Sequence, residues 1–332
     1  MEPLMNKKRW ITLSVAAIIL LILPLLLINN DYIISILCFA ALYIVAVSGL
    51  DINYGYCGQI SLGQVAYFAI GAYGSAILNE YTGMPVLLCM FVSSILAAII
   101  GALIAYPCSK LVFHFLSLAT MAFGEIMHQF VAHSPGRITG DSIGMFTTHI
   151  SIFGIQLDTY TKFYYFALIC VAVTLVFKVF LINSRTGRAF IAIRDNHHAA
   201  SGMGVNVVKY KVMAFATSSF FASFAGAMYV HLIRYISPDT IVYKQSVMFL
   251  TMLLFGGTAS LLGPIVGACS IMFINELLRA AENYQMLIYG AILLIVILVL
   301  PGGVYGEAVN LYYRIKTKKQ RAREAASSHV DS

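Results

Sequence analysis

Charge is scarce in this chain: Asp, Glu, Lys and Arg make up 11% of its 332 residues, while 60% are hydrophobic. So little polar side chain cannot cover a water-soluble core, which excludes an ordinary soluble domain and leaves a membrane protein. Long polar stretches are missing as well. Between about residues 11 and 300 none exceeds about 30 residues, so the chain reads as one membrane domain over 1–310 followed by a basic tail over 311–332. The motifs of hydrolytic chemistry are also lacking: there is no G-x-x-x-x-G-K-[ST] phosphate loop, no G-x-G-x-x-G turn, no H-E-x-x-H pair and no G-x-S-x-G elbow. Nucleotide, zinc and serine hydrolysis therefore have no usual carrier, and the chain reads as a non-enzyme without cofactor or metal. Close-spaced cysteines are absent. Cys38, Cys57, Cys89, Cys108, Cys170 and Cys269 are scattered through apolar runs, which excludes a paired-cysteine metal or redox site and reads them as small core residues. His197 and His198 are adjacent, so on a helix they point about 100° apart and do not chelate one metal as an i, i+4 pair does.

What the chain does have is a series of apolar runs. Lys7, Lys8 and Arg9 precede the first, over 11–28. It is too long for a secretory signal and is followed by no small-x-small cleavage site, so it reads as a first transmembrane helix with a cytoplasmic N-terminus. Runs of about 16 to 23 residues follow over 32–50, 62–79, 85–107, 111–132 and 163–182. Beyond residue 211 lie 212–231, a short run over 245–256, 262–281 and another short run over 286–300. The expectation is an all-α polytopic membrane helix bundle of about ten transmembrane segments, with eight to ten as the range and both termini cytoplasmic. Short runs bounded by glycine can also be re-entrant or broken helices. The net charge of +7 does not require nucleic acid: Lys7, Lys8 and Arg9, then Arg185, Arg188, Arg194, Lys209 and Lys211, then six cations between Arg314 and Arg323 hold 14 of the 21 Lys and Arg residues. All three groups fall on the side that the positive-inside rule assigns to the cytoplasm.

Four stretches stand out. Residues 183–211, NSRTGRAFIAIRDNHHAASGMGVNVVKYK, are a basic, polar interruption between two spans. Arg188 to Arg194 can extend the preceding helix, Asp195 or Asn196 can cap a short helix over 197–201, and Gly202 or Gly204 can close it. Ala199 and Ala200 give that helix a small flat face suited to a groove on another protein, while an ordinary cytoplasmic loop made basic by topology explains the same charges. Glu125 is the most isolated acid, deep in a span, where an ionised carboxylate costs roughly 2.5 to 3.5 kcal/mol. It reads either as a group lining the path of a cationic or zwitterionic solute or as a structural acid between helices, with His128 on the same face as a partner.

Residues 55–73, GYCGQISLGQVAYFAIGAY, carry four glycines with Gln59, Ser61 and Gln64 among them. Glycines permit close helix contact or a break in the helix, and the polar side chains favour a pathway. Residues 256–268, GGTASLLGPIVGA, share G-x-x-S-L with 58–62, a weak trace of an internal repeat. Residues 131–162, rich in Gly, Ser and Thr, read as an external connector or as a rim that receives a ligand.

Taken together, residues 55–73, LATMAFGEI at 118–126 with Ile138 to Gly140, residues 184–239 and residues 256–268 resemble the LivM-type permease subunits of ATP-binding-cassette importers for branched-chain amino acids. The resemblance covers nearly the whole chain, and the order and spacing of the motifs carry it. It implies that Ala199, Ala200 and Gly204 form the core of the loop that docks on the ATPase, in the stretch that also holds Arg188, Arg194, Asp195 and His198, and that Thr139 and Gly140 lie at the external rim; Gln59, Ser61, Gln64 and Glu125 are read from their own setting as lying along the translocation path. It further implies a second, LivH-like permease subunit, two cytoplasmic LivG/LivF-like ATP-binding subunits, a periplasmic or lipid-anchored binding protein, and a place in a bacterial inner membrane with alternating access as the mechanism. Three positions depart from the pattern: His198 stands where the general loop has an acid, Asp141 where a second Gly follows Thr139 and Gly140, and Ala259 where the later motif has Gly. Similar permeases carry urea or short amides, which is the alternative substrate class. A secondary transporter would need an intramembrane charge relay, for which Glu125 alone is a thin basis. A membrane enzyme would need acids or histidines clustered at one depth.

Overall fold

A computed structural model describes residues 30–109, 113–134, 136, 138–148, 150–152, 155–278, 284–299 and 303–307. The expected first span over 11–28 and the basic tail lie outside the described residues. Within them the chain is helical apart from four two-residue strands.

The helices are α1 (Asp31–Asp51), α2 (Gln64–Thr82), α3 (Val86–Cys108), α4 (Phe113–Ala132), α5 (Tyr160–Asn183), α6 (Arg185–Asp195), α7 (His197–Gly202), α8 (Val207–Ile233), α9 (Tyr243–Gly256), α10 (Gly263–Leu277) and α11 (Gln285–Val299). Helix α1 runs on through one π-helical turn, Ile52–Tyr56. Five described helical stretches are long and apolar enough to cross a membrane: Asp31–Tyr56, Val86–Cys108, Phe115–Ala132, Tyr160–Asn183 and Val207–Ile233. The chain is therefore an all-α, multi-pass membrane bundle. Helix α10 is apolar but only 15 residues long in its described part.

Helices α1 and α8 are the most enclosed of these spans, and α4 is the most open. Lipid gives no hydrophobic incentive for helices to associate, so close backbone approach at small residues does the work. On α2, a Cβ at Gly71 would stand 1.8 Å from the Ser223 carbonyl oxygen of α8. In return, a Cβ at Gly226 of α8 would stand 2.0 Å from the Phe68 oxygen of α2. Against α3, the same helix brings Ser219 Oγ to 2.3 Å of where a Cβ of Gly101 would be. Aromatic rings fill the wider gaps: Phe68 lies 5.7 Å from Phe249 and Tyr43 5.6 Å from the same ring, centroid to centroid, distances at which tilted pairs add to the burial of their area.

Two ends of the bundle can be told apart by their contacts. At one end the strand pair β1 (Met145–Phe146) and β4 (Tyr235–Ile236) runs antiparallel, with Met145 opposite Ile236, beside the small hairpin β2 (Ser151–Ile152) and β3 (Ile155–Gln156). Thr148 Oγ1 donates to Asn79 Oδ1 across 2.6 Å there. At the other end lie α6, α7 and the turns over 57–63 and 257–262, with Lys211 Nζ donating to the Ser109 oxygen at 3.4 Å.

Helices α2 and α9 do not start at either end. Gln64, the first residue of α2, hydrogen-bonds Ser218 on α8, and Ser218 is about 16 Å along α8 from Val207 at 1.5 Å per residue. Ser246, in the first turn of α9, accepts the Val65 N–H at 3.0 Å. The N-termini of α2 and α9 thus meet partway through the bundle, and from there α2 runs toward the strand end and α9 toward the α6–α7 end. The run over 62–79 was expected as a full crossing and the run over 245–256 as a short one; both are helices that begin partway through the bundle.

Candidate functional site

The meeting point of α2 and α9 borders a cavity of about 260 Å³. Leu62 and Val65 line it from the start of α2, Ile241 and Tyr243 from the start of α9, and Leu118, Met121 and Glu125 from α4. Its walls are apolar save for the Glu125 carboxylate and the Tyr243 phenol. Helix α4 is pinned to this place by the broken segment: Leu62 N–H donates to Thr120 Oγ1 at 3.1 Å, and a Cβ at Gly63 would stand 2.2 Å from the Thr120 oxygen. Only glycine lets the two backbones come this close. Two helix N-termini carry partial positive charge toward the same region.

The sequence-predicted path residues fall in three settings. Glu125 is on the open face of α4 with 64% of its side chain exposed, its Oε1 accepting from Gln129 Nε2 at 3.0 Å and standing 3.8 Å from His128 Nδ1. Gln64 is sealed at 1% exposure and spends its amide on the Ser218 carbonyl and hydroxyl, holding α2 to α8. Gln59 and Ser61 are buried, and Gln59 Oε1 and Ser61 Oγ make no hydrogen bond among the described residues. Thr139 and Gly140 lie at the strand end. Thr139 Oγ1 donates to the Val131 oxygen at 2.7 Å and closes α4, and Gly140 has φ of 77°, with a Cβ there 2.0 Å from the Gly144 oxygen.

At the opposite end, the segment over 183–211 forms two helices. The chain does not extend α5 as the sequence reading expects. Ser184 breaks it, and its Oγ accepts the N–H groups of Thr186 and Gly187 to cap α6. Asn196 caps α7 by accepting the N–H groups of His198 and Ala199, each at 3.0 Å. Gly204, at φ of 82°, closes it as the left-handed residue, while Val205 N–H returns to the Ala200 oxygen at 3.0 Å. Ala200 packs inward, while Ala199, Gly202 and Gly204 are exposed and Met203 is 86% exposed. Among the described residues nothing beyond the turn's own neighbouring backbone lies within 4 Å of where a Cβ of Gly202 or Gly204 would be, so a small, uncovered surface crowns this turn.

Beside that crown is an open groove of about 510 Å³ with Arg185, Arg188 and Lys209 on its rim and Ala189, Ala192 and Tyr210 along its floor. Asp195 and His198 are exposed, and the His197 and His198 rings lie 3.9 Å apart. His197 is held below its ordinary range by partial desolvation and then by the neighbouring His198 and Lys211. Arg194 points the other way, its Nη1 donating to the Gly55 oxygen in the π turn at 2.6 Å.

Two ionisable residues in this region escaped the sequence reading. Asp51, the last residue of α1, is fully buried, and Lys178, on α5, is 1% exposed. Lys178 Nζ donates to Asp51 Oδ2 at 2.7 Å and to the Ser260 oxygen at 2.9 Å, while Asp51 Oδ1 accepts the Ala259 N–H at 2.7 Å. The signal was present: each is an ionisable residue within or against an apolar run, where a charge must have a partner. Among the described residues no group of three or more His, Cys, Asp or Glu is placed to hold a metal ion.

The two departures from the family pattern on the glycine side also become physical. Asp141 and Ala259 both sit at positive φ, 50° and 52°, in the region that glycine enters freely and other residues reach at a cost of roughly 1 to 2 kcal/mol. Asp141 is compensated by its own carboxylate, whose Oδ1 accepts from the Ser134 N–H and hydroxyl. Ala259 is held by the bond from its N–H to Asp51.

Comparison of the sequence with known proteins places the chain in a family. The family described as "Branched-chain amino acid transport system / permease component" matches residues 32–297. The high-affinity branched-chain amino acid transport system permease protein LivM of Escherichia coli (strain K12) is 28% identical over 287 residues, covering 79% of this chain and 67% of the relative. LivH of the same strain is 29% identical over 136 residues, 40% of this chain and 44% of LivH. The ribose import permease protein RbsC of Haemophilus influenzae is 29% identical over 126 residues, 36% of this chain and 39% of RbsC. No solved structure matches the chain. With the match running from α1 through most of α11, the chain belongs to the branched-chain amino acid transport permease family and is a multi-pass permease subunit of an ATP-binding-cassette importer.

Proposed function

We propose that this chain forms one half of the translocation path of an importer for branched-chain amino acids in a bacterial inner membrane. The carrying observation is the cavity at the paired N-termini of α2 and α9. Its walls at Leu118, Met121 and Ile241 suit an aliphatic side chain, Glu125 suits an ammonium group, and the two helix N-termini suit a carboxylate. A zwitterion with an apolar side chain satisfies all three at once. A urea or short-amide solute would leave Glu125 without a cationic partner.

The open face of α4, which carries Glu125, is where a second, related permease subunit completes the path. The crown at Ala199, Gly202 and Gly204 and the basic rim at Arg188 receive a cytoplasmic ATP-binding subunit, two of which serve the pair of permeases. A periplasmic or lipid-anchored binding protein delivers solute at the strand end, near Thr139 and Gly140. Ten crossings with both termini cytoplasmic fit this arrangement, because α6 and α7 then face the ATPases. ATP hydrolysis is then the work of the ATP-binding subunits.

The test is uptake of labelled leucine into vesicles that hold the assembled importer, with proton and sodium gradients collapsed and ATP retained. Uptake persists under these conditions if the reading is right, and its loss would overturn it.

A further inference from the structure

The two charged residues that the sequence reading missed sit between the docking segment and the broken helices. From the docking side, Arg194 of α6 bonds the Gly55 oxygen at 2.6 Å, and its stem lies 3.3 Å from where a Cβ of Gly58 would be. Gly55 is pressed on its other side against Asp51: a Cβ there would stand 2.0 Å from Asp51 Oδ1 and 2.6 Å from the Ala259 nitrogen. Asp51 in turn holds Lys178 of α5 and the Ala259 N–H, and Lys178 holds the Ser260 oxygen. Lys178 Nζ also stands 5.7 Å from the centre of the Tyr56 ring in the π turn.

Four segments therefore close on one point: α6, the π turn at the end of α1, α5, and the turn over 257–262. One of them leads straight to the cavity and another reaches it through the length of α9, about 20 Å. The π turn continues through 57–63 into the N-terminus of α2, and the turn over 257–262 follows directly on the C-terminus of α9. Stability alone is a poor reason for such a pair, because replacing a buried ion pair by apolar residues of similar volume is often neutral or stabilising. A π turn in an otherwise regular helix, and a non-glycine residue at positive φ, are both features found at functional sites.

We infer that Arg194, Asp51 and Lys178 form a junction that transmits movement of the docking segment to the broken helices beside the cavity. While Arg194 stays bonded to the Gly55 carbonyl, α6 cannot shift without moving the π turn, and the π turn cannot move without disturbing the Asp51 carboxylate. That carboxylate and the Lys178 ammonium hold the middle of the turn over 257–262 by two backbone bonds, so the displacement reaches α2 and α9 together. These residues are positioning residues: none of them lines the cavity. The inference rests on the docking role proposed for residues 183–211.

The experiment compares solute transported per ATP hydrolysed in the whole importer, reconstituted in proteoliposomes, for the parent, for Arg194→Ala and for the double variant Asp51→Asn/Lys178→Met. The expected result is that the Asp51→Asn/Lys178→Met variant retains bound, hydrolysing ATPase subunits and that solute moved per ATP falls about fivefold in both variants, the size of change that lesions along a coupling network produce. A ratio unchanged in Arg194→Ala overturns the inference, and so does loss of ATPase binding in that variant, which would make Arg194 a docking contact. Failure of the docking reading is told apart by Gly204→Glu. If the ATPases co-purify undiminished with that variant, the docking role falls and the junction falls with it.

Discussion

Lys178 Nζ lies 2.7 Å from Asp51 Oδ2, joining residues 127 positions apart in the chain and both shielded from solvent. Removing one partner leaves the other as an uncompensated buried charge, which costs about 3–5 kcal/mol, whereas removing both does not. Lys178→Met is thus expected to lower the thermal midpoint of the detergent-purified permease sharply or to prevent its accumulation, and adding Asp51→Asn is expected to restore most of the loss. Equal midpoints for Lys178→Met and its parent would sink this account of the pair.

Ala259, at φ of 52°, is the position for a stabilising change. Glycine there relieves roughly 1 to 2 kcal/mol of left-handed strain and costs about 0.4 to 1 kcal/mol in a more flexible unfolded chain. Ala259→Gly should therefore raise stability by about 0.5 kcal/mol or slightly more, read as a small upward shift in the same thermal assay. A downward shift would mean that the backbone there is not strained.

Close helix contact can be tested by contrast between two glycines. A side chain at Gly71 would overlap the Ser223 oxygen, at 1.8 Å from its Cβ, whereas nothing lies within 4 Å of a Cβ at Gly202. Gly71→Val is expected to abolish accumulation of folded protein in the membrane. Gly202→Ala is expected to accumulate normally and to gain up to about 1 kcal/mol from helix propensity. Comparable yields of the two variants would contradict the α2–α8 packing.

Glu125 offers a transport readout that stability does not confound, because its side chain is 64% exposed in the single chain. A charge-assisted hydrogen bond contributes about 1.5–3 kcal/mol, so Glu125→Gln should cut the initial rate of leucine uptake by about tenfold or more while leaving ATP hydrolysis in the absence of solute unchanged. Uptake at the parental rate would remove Glu125 from the path.

The membrane class and most helix positions were legible from the sequence, because lipid demands apolar runs of a set length and leaves few alternatives. The caps of the segment over 183–211 were legible in part for a local reason: Asn196 caps α7 through its own side chain, and Gly204 adopts its left-handed turn without help. What escaped were relations set by distant residues. Lys178 lies near the end of an apolar run and was passed over, although its partner is at the end of another run. The glycines of 55–63 announced an unusual backbone, but the depth at which α2 begins is fixed by Ser218, far along the chain. Gln64 could not be assigned a face from its neighbours alone, and in the fold its amide is committed to α8. The break between α5 and α6 depends on one hydroxyl at Ser184, in a sequence otherwise able to continue the helix.

The interrupted start of α2 also bears on how the chain is made. Gln64 finds its hydrogen-bond partner 154 residues later, at Ser218, and Gly71 has no neighbour to fit until Ser223 of the same late helix is present. At about 5–20 residues per second of synthesis, roughly 8 to 30 s pass between the emergence of the two. During that interval the exposed backbone before α2 has no settled place in lipid. The first half of the molecule must wait, provisionally inserted, for the second to arrive, which makes this the period in which the nascent permease depends most on the insertion machinery around it.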